Sequence, residues 1–150
     1  MQWAEILQIL TKTILGMSTN TPKKNILVID DHKSIRFLLG TMLRKQYAVT
    51  TKRDGLEGMA WMSRGNVPDL ILLDMQMPRL GGSEFLKSLK DSGFFRNIPV
   101  IVVSGNESSD DIDACYEMGA KEYLKKPFNP VQLKNKINSI FQSGGDYSIN

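Results

Sequence analysis

The sequence predicts an α/β fold: one (βα)5 domain over about residues 25–143, a three-layer sandwich with a five-stranded parallel sheet at its centre. Three observations carry this expectation. Apolar runs of strand length recur five times, and segments with helical apolar spacing fall between them. The chain of 150 residues, 41% hydrophobic and 23% charged, is long enough for one core and short for two. Strands alternating with helices require right-handed crossovers, which set the strands parallel and clothe both faces of the sheet.

An N-terminal segment comes first. Trp3, Ile6, Leu7, Leu10, Ile14 and Met17 describe an amphipathic helix, and Met17–Asn25, with Ser, Thr, Asn, Pro and Lys, reads as a linker. The expected division is residues 1–24 as helical extension and linker, 25–143 as the domain, and 144–150 as a tail. The strands are expected at Ile26–Ile29, Tyr47–Thr51, Leu70–Leu73, Val100–Val103 and around Tyr123 and Leu124. The first, third and fourth are continuously apolar, as strands covered on both faces should be. Ile35, Leu38, Leu39, Met42 and Leu43 follow the i, i+3, i+4, i+7, i+8 template of a helix. Leu56, Met59 and Ala60 mark the next; Phe85, Leu86 and Leu89 another; Ile112, Cys115 and Tyr116 a fourth, ended by Gly119 as its C′ residue. Val131, Leu133, Ile137, Ile140 and Phe141 mark the last.

The net charge of +3 is divided as +2 over residues 1–25, −2 over 26–120 and +3 over 121–150. Such a balance gives no basic stripe of the kind that binds nucleic acid. Cys115 is the only cysteine, so an internal disulfide and a thiolate metal cluster are excluded, and a reducing cytoplasmic setting is expected with the thiol packed in its helix. Glu5, Gln8, Thr11, Lys12 and Thr13 interrupt the apolar N-terminal run, which is too short and polar for a membrane span and lacks the basic start of a signal peptide. The helix is instead expected to dock on its own domain or on a second subunit as a homodimer; its polar face is poor in Lys and Arg for membrane contact.

In open parallel α/β sheets the functional crevice lies beyond the carboxyl ends of the strands. Asp30 and Asp31 follow the first strand, Asp74 the third, Ser104 the fourth, and Lys125 and Lys126 the fifth, before Pro127. Lys52, Arg53 and Asp54 follow the second and carry no comparable signal. Adjacent carboxylates repel unless a cation compensates. Three carboxylates, a hydroxyl and an ammonium at one sheet edge suit a hard divalent cation such as Mg2+ together with an anionic oxygen ligand. Singly, each residue has a plainer use: Asp31 as a helix cap, Asp74 and Ser104 as turn residues, Lys126 as a solvated lysine.

VIDDH, LILLDMQMPRLGG, IVVSGN and KEYLKKPF, in that order and spacing, resemble the receiver domain of bacterial two-component response regulators over about residues 25–143. The resemblance implies a flavodoxin-like strand order 2-1-3-4-5 and a phosphoacceptor, Asp74, that attacks the phosphohistidine of a sensor histidine kinase or a histidine phosphotransfer protein. It implies that Asp31 ligates Mg2+ directly, Asp30 through water, and that Asp74 and the backbone carbonyl of Gln76 complete the metal's protein ligands. It further implies that Lys126 pairs with Asp74 before phosphorylation, that Ser104 hydrogen-bonds a phosphoryl oxygen, that Tyr123 is the aromatic switch, and that the bond before Pro127 is cis. The face made by the helix around Ile112, the fifth strand and the last helix would dock the downstream protein target. On this reading the chain is a stand-alone phosphorelay regulator and not an enzyme, since too little follows about residue 143 for a DNA-binding output domain.

The resemblance has departures. Gly81-Gly82 stands where the family often has Asp-Gly, which should loosen the turn, and Ser104 replaces the commoner Thr. Gln76 and Asn106, two residues beyond Asp74 and Ser104, are expected to set the lifetime of the phosphorylated state. His32, the single histidine, is expected to face solvent at a helix start with no catalytic role. An aspartate-nucleophile phosphatase of the haloacid dehalogenase type needs a second Asp two positions after its nucleophile, where this chain has His32 after Asp30. A scaffold without phosphorylation is opposed by the intact set of acids, Ser and Lys, and no G-x-x-x-x-G-K or G-x-G-x-x-G supports nucleotide binding.

Overall fold

The computed structural model describes residues 2–14, 16, 21–105 and 108–144. The elements follow in the order α1 (Trp3–Ile14), β1 (Asn25–Ile29), α2 (Lys33–Leu43), β2 (Ala48–Lys52), α3 (Gly55–Ser63), β3 (Leu70–Leu73), α4 (Gly82–Asp91), β4 (Val100–Ser104), α5 (Ser109–Glu117), β5 (Glu122–Lys125) and α6 (Pro130–Ser143). The five strands form one parallel sheet in the order β2-β1-β3-β4-β5. β1 and β3 lie at its centre, Ile26 pairing with Val49 on one side and Leu70 on the other.

Alternation along the strands divides the core in two. Ile26, Val28, Leu70, Leu72, Ile101 and Val103 join Leu39 and Leu43 of α2 and Leu133 and Ile137 of α6. Leu27, Ile29, Ile71, Leu73, Val100 and Val102 point the other way, to Met62 of α3, Phe85 and Leu89 of α4, and Cys115 of α5. A strand whose side chains are buried on both faces needs an unbroken apolar run, hence ILVI, LILL and VIVV. Cys115 packs as expected. Most boundaries fall within a residue or two of those expected. β2 starts at Ala48, with Tyr47 buried just before it, and α5 starts at Ser109, where a Ser108–Asp111 capping box satisfies the first amides. Gly119, with φ +101, ends α5 as the C′ residue.

α1 buries none of its residues, and Trp3, Leu7, Leu10 and Ile14 are exposed. Docking of this helix on its own domain is therefore not observed among the described residues, and other helices cover both faces of the sheet. Met17, part of the expected apolar stripe, lies outside the described residues, as do residues 18–20 of the linker and the tail beyond residue 144. Among the described residues no helix is long and apolar enough to cross a membrane.

Candidate functional site

The parallel sheet delivers its strand ends to one edge. Asp30 and Asp31 follow β1, Asp74 follows β3, Ser104 closes β4 and Lys126 follows β5. Asp30 and Asp74 are 2% and 3% exposed and Ser104 is fully buried, whereas Asp31 lies open to solvent. One ligand atom from each of Asp30, Asp31, His32 and Asp74 lies within 4.8 Å of the others. The sheet edge thus gathers the residues that the sequence named.

Lys126 stands between two carboxylates, and its preference differs from the expected one. Its Nζ donates to Asp30 Oδ2 at 2.6 Å and lies 3.6 Å from Asp74 Oδ2. The pairing expected with Asp74 is a looser ion pair, because the hydrogen bond goes to the carboxylate at the end of β1. Arg36 supports the acidic loop from below: its Nη1 donates to the carbonyls of Asp30 at 2.7 Å and Asp31 at 2.9 Å. Asp31 does not cap α2. His32 occupies the N-cap position without a side-chain cap, and its backbone N–H donates to Asp30 Oδ1 at 2.9 Å.

Asp74 is poorly served. Oδ1 accepts a long bond of 3.3 Å from the Gln76 N–H, while Oδ2 and the Ser104 hydroxyl have no hydrogen-bond partner among the described residues. Burial, and then the Asp30 charge, push the Asp74 carboxyl up to about 6, against the opposing pull of Lys126. Two buried polar atoms left without partners cost free energy unless a ligand completes them.

The loop after Asp74 is held by groups the sequence reading passed over. Asp54, 2% exposed, caps α3 by accepting from the Glu57 N–H at 3.0 Å, and its Oδ2 accepts from Arg79 Nε at 2.7 Å and from Arg79 Nη2. Burial alone would raise this carboxyl, but the Glu57 amide and the Arg79 guanidinium outweigh it and hold it below its usual range. Arg53 donates from Nε and Nη2 to Glu57 Oε1, and its own amide donates to Glu57 Oε2. The Arg53 side chain and amide draw the Glu57 carboxyl down to about 2. A backbone bond from Gly55 N–H to the Leu80 carbonyl at 3.3 Å closes the same contact. The D-x-x-E spacing of Asp54 and Glu57 signals the cap. Nothing local signals Arg79, which stands 25 positions away.

Gly82 has a role other than the expected loosening of a turn. A Cβ there would meet the Asp74 carbonyl oxygen and Met75 Cα at 2.5 Å, so its small size lets α4 begin against the acceptor's backbone. Gly81 is the α4 N-cap in an ordinary extended conformation, φ −72, without a side chain to accept the first amides. Gln76 is exposed at the mouth of the site, and Asn106 lies outside the described residues. Tyr123 is half-buried, its hydroxyl donating to the Ser104 carbonyl at 3.4 Å, and the Lys126–Pro127 bond is cis. His32 is exposed as expected, yet its ring turns inward onto the acids, which the sequence reading did not anticipate.

The family described as the response regulator receiver domain matches residues 26–138. The sensor histidine kinase CheAY of Helicobacter pylori is 29% identical over 157 residues, covering 99% of this chain and 19% of that protein. The response regulator PleD of Caulobacter vibrioides is 34% identical over 116 residues, 77% of this chain and 25% of that protein. The chain thus spans a quarter or less of the length of these two relatives. The two-component response regulator ORR3 of Oryza sativa is 32% identical over 128 residues, 83% of this chain and 98% of that protein. Among solved structures, the receiver domain of the Francisella response regulator 1452 aligns with a TM-score of 0.75 at 29% identity, covering 81% of this chain and 99% of that one. The Vibrio cholerae chemotaxis protein CheY4 aligns at 0.73 and 28% identity, over 79% and 98%.

Proposed function

The chain belongs to the response regulator receiver family, and from that membership we propose a phosphorylation-controlled binding switch in which Asp74 is the phosphoacceptor. One observation carries the reading: the buried Asp74 Oδ2 and Ser104 Oγ lack partners among the described residues, at the edge of an acidic cluster and 3.6 Å, in the case of Asp74, from the Lys126 ammonium. A phosphoryl group on Asp74 would supply acceptor oxygens for both the hydroxyl and the ammonium.

In the transfer, the P–N bond of a donor phosphohistidine breaks as an Asp74 carboxylate oxygen bonds to phosphorus, and the released electron pair stays on the donor's imidazole. The donor is a sensor histidine kinase or a histidine phosphotransfer protein. Lys126 and Ser104 stabilise the charge on the transferring oxygens, held in place by the sheet rather than by mobile loops. The hard oxygen donors fit Mg2+, which Asp30, Asp31, Asp74 and the Gln76 carbonyl would hold. Bound there, Mg2+ neutralises phosphoryl charge.

Tyr123 touches the Ser104 carbonyl, so a shift of Ser104 toward the phosphoryl group changes what the tyrosine packs against. The readout is a population shift on the face made by α5, β5 and α6, where a downstream protein docks. A cytoplasmic switch of this kind takes up one phosphoryl group per chain and is not a turnover enzyme. The test is incubation with Mg2+ and acetyl phosphate followed by intact mass. A single adduct that disappears in Asp74→Ala is expected; no adduct, or one that survives the substitution, overturns the assignment.

A further inference from the structure

The His32 side chain is 63% exposed, so solvent could satisfy its ring, yet Nδ1 lies 3.2 Å from Asp30 Oδ1 and 3.1 Å from Asp31 Oδ1. Cis ligands of a six-coordinate ion, each about 2.1 Å from the metal, stand about 3 Å apart. The ring nitrogen therefore already keeps a co-ligand's distance from both carboxylates, and the four donor atoms of Asp30, Asp31, His32 and Asp74 fall within 4.8 Å of one another. A ligand at this sheet edge is also indicated by Ser104 Oγ and Asp74 Oδ2, both buried and without a hydrogen bond among the described residues. In the tautomer with its proton on Nε2, the Nδ1 lone pair is free to coordinate a cation held beside the two acids.

We propose that His32 is a nitrogen ligand of the divalent-cation site, set by the 3.1 and 3.2 Å approaches of its Nδ1 to Asp31 and Asp30, and that it tilts the site from Mg2+ toward imidazole-preferring ions such as Zn2+. This rests on the metal reading given above. Carboxylate and carbonyl oxygens suit Mg2+, which gains little from an imidazole, whereas Zn2+ gains much. His32 thus sets which metal the receiver carries, without touching the phosphoryl acceptor.

His32 is the sole histidine, so an untagged protein gives one set of imidazole signals. The decisive experiment pairs imidazole 1H–15N spectra during Zn2+ titration with calorimetric affinities for Zn2+ and Mg2+, for the wild type, His32→Asn and Asp31→Asn. The expected result is a large shift of one ring nitrogen that Asp31→Asn abolishes. His32→Asn should lower Zn2+ affinity by at least about tenfold and change Mg2+ affinity by less than about twofold. Zn2+ binding with an unmoved ring nitrogen and equal affinity in His32→Asn overturns the proposal and leaves the Mg2+ site standing. Failure of both ions to bind the wild type overturns both.

Discussion

Asp54 and Asp74 are two aspartates of nearly the same low exposure, 2% and 3%, at the mouths of β2 and β3, on either side of β1. Burial pushes both carboxyls upward, and the outcomes are opposite: Asp54 ends below its ordinary value and Asp74 at about 6. Asp74 lies deeper among protein atoms, and the two are given different partners. Asp54 receives an amide on one oxygen and a guanidinium on the other. Asp74 receives one long amide bond, a like charge from Asp30, and only a loose ion pair with Lys126 at an Oδ2 that has no hydrogen bond among the described residues. A satisfied buried carboxylate fastens structure; an unsatisfied one is kept ready for a ligand, and the fold bears its cost.

The largest expected contrast is in phosphoryl uptake. Asp74→Asn should take up none from acetyl phosphate with Mg2+, whereas Asp54→Asn should be slower and still reach one group per chain. Equal abolition in both, read by intact mass at long times, would erase the functional distinction between the two carboxylates.

Stability should separate them in sign. The Asp74 carboxyl, raised from 3.8 to about 6, makes the folded state hold more protons than the unfolded one between those values. Folding stability in metal-free buffer should then fall as pH rises through that window, by about 2–3 kcal/mol. Asp74→Asn, neutral throughout, should be more stable than the wild type by that amount above pH 6 and equal to it near pH 4, measured by urea unfolding. Asp54 runs the other way. Its lowered carboxyl contributes stability above the unfolded value that is lost as pH falls through the folded one. Asp54→Ala should lose about 2 kcal/mol at neutral pH, a helix cap plus part of an ion pair; Arg79, with a side chain 51% exposed, is left hydrated and adds no buried-charge penalty.

The same contrast marks how far the sequence can be read. β1, β3 and β4 were legible because two-sided burial demands a continuous apolar run, and the strand-end rule placed Asp30, Asp31, Asp74, Ser104 and Lys126 at one edge. Those are consequences of local pattern and sheet geometry. Asp54 carried only the D-x-x-E mark of a cap; its bond with Arg79, brought back by the loop beyond β3, has no local signal. Lys126's choice of Asp30 over Asp74 is decided by a difference of about 1 Å, which spacing along the chain cannot express. The inward turn of the exposed His32 ring is likewise a matter of rotamer. The N-terminal helix was legible as a helix, but spacing along the chain does not say that it buries none of its residues against the sheet domain.

The smallest effects sit at Arg79, whose backbone has φ +66, a conformation that costs a non-glycine residue about 1–2 kcal/mol. Its contact with Asp54 offsets that cost. Arg79→Ala keeps the strain and loses the contact, and should destabilise by about 1 kcal/mol, discounted for a guanidinium half in solvent. Arg79→Gly loses the contact and the strain together, so it should be more stable than the alanine variant even though glycine usually lowers stability. Arg53→Ala, removing a mostly exposed guanidinium from Glu57, should leave the melting temperature where it was. If alanine at 79 matches or exceeds glycine, the left-handed turn holds no strain for the Asp54 contact to offset. If the alanine variant is as stable as the wild type, the contact contributes nothing, and the contrast of Asp54 with Asp74 narrows to a helix cap.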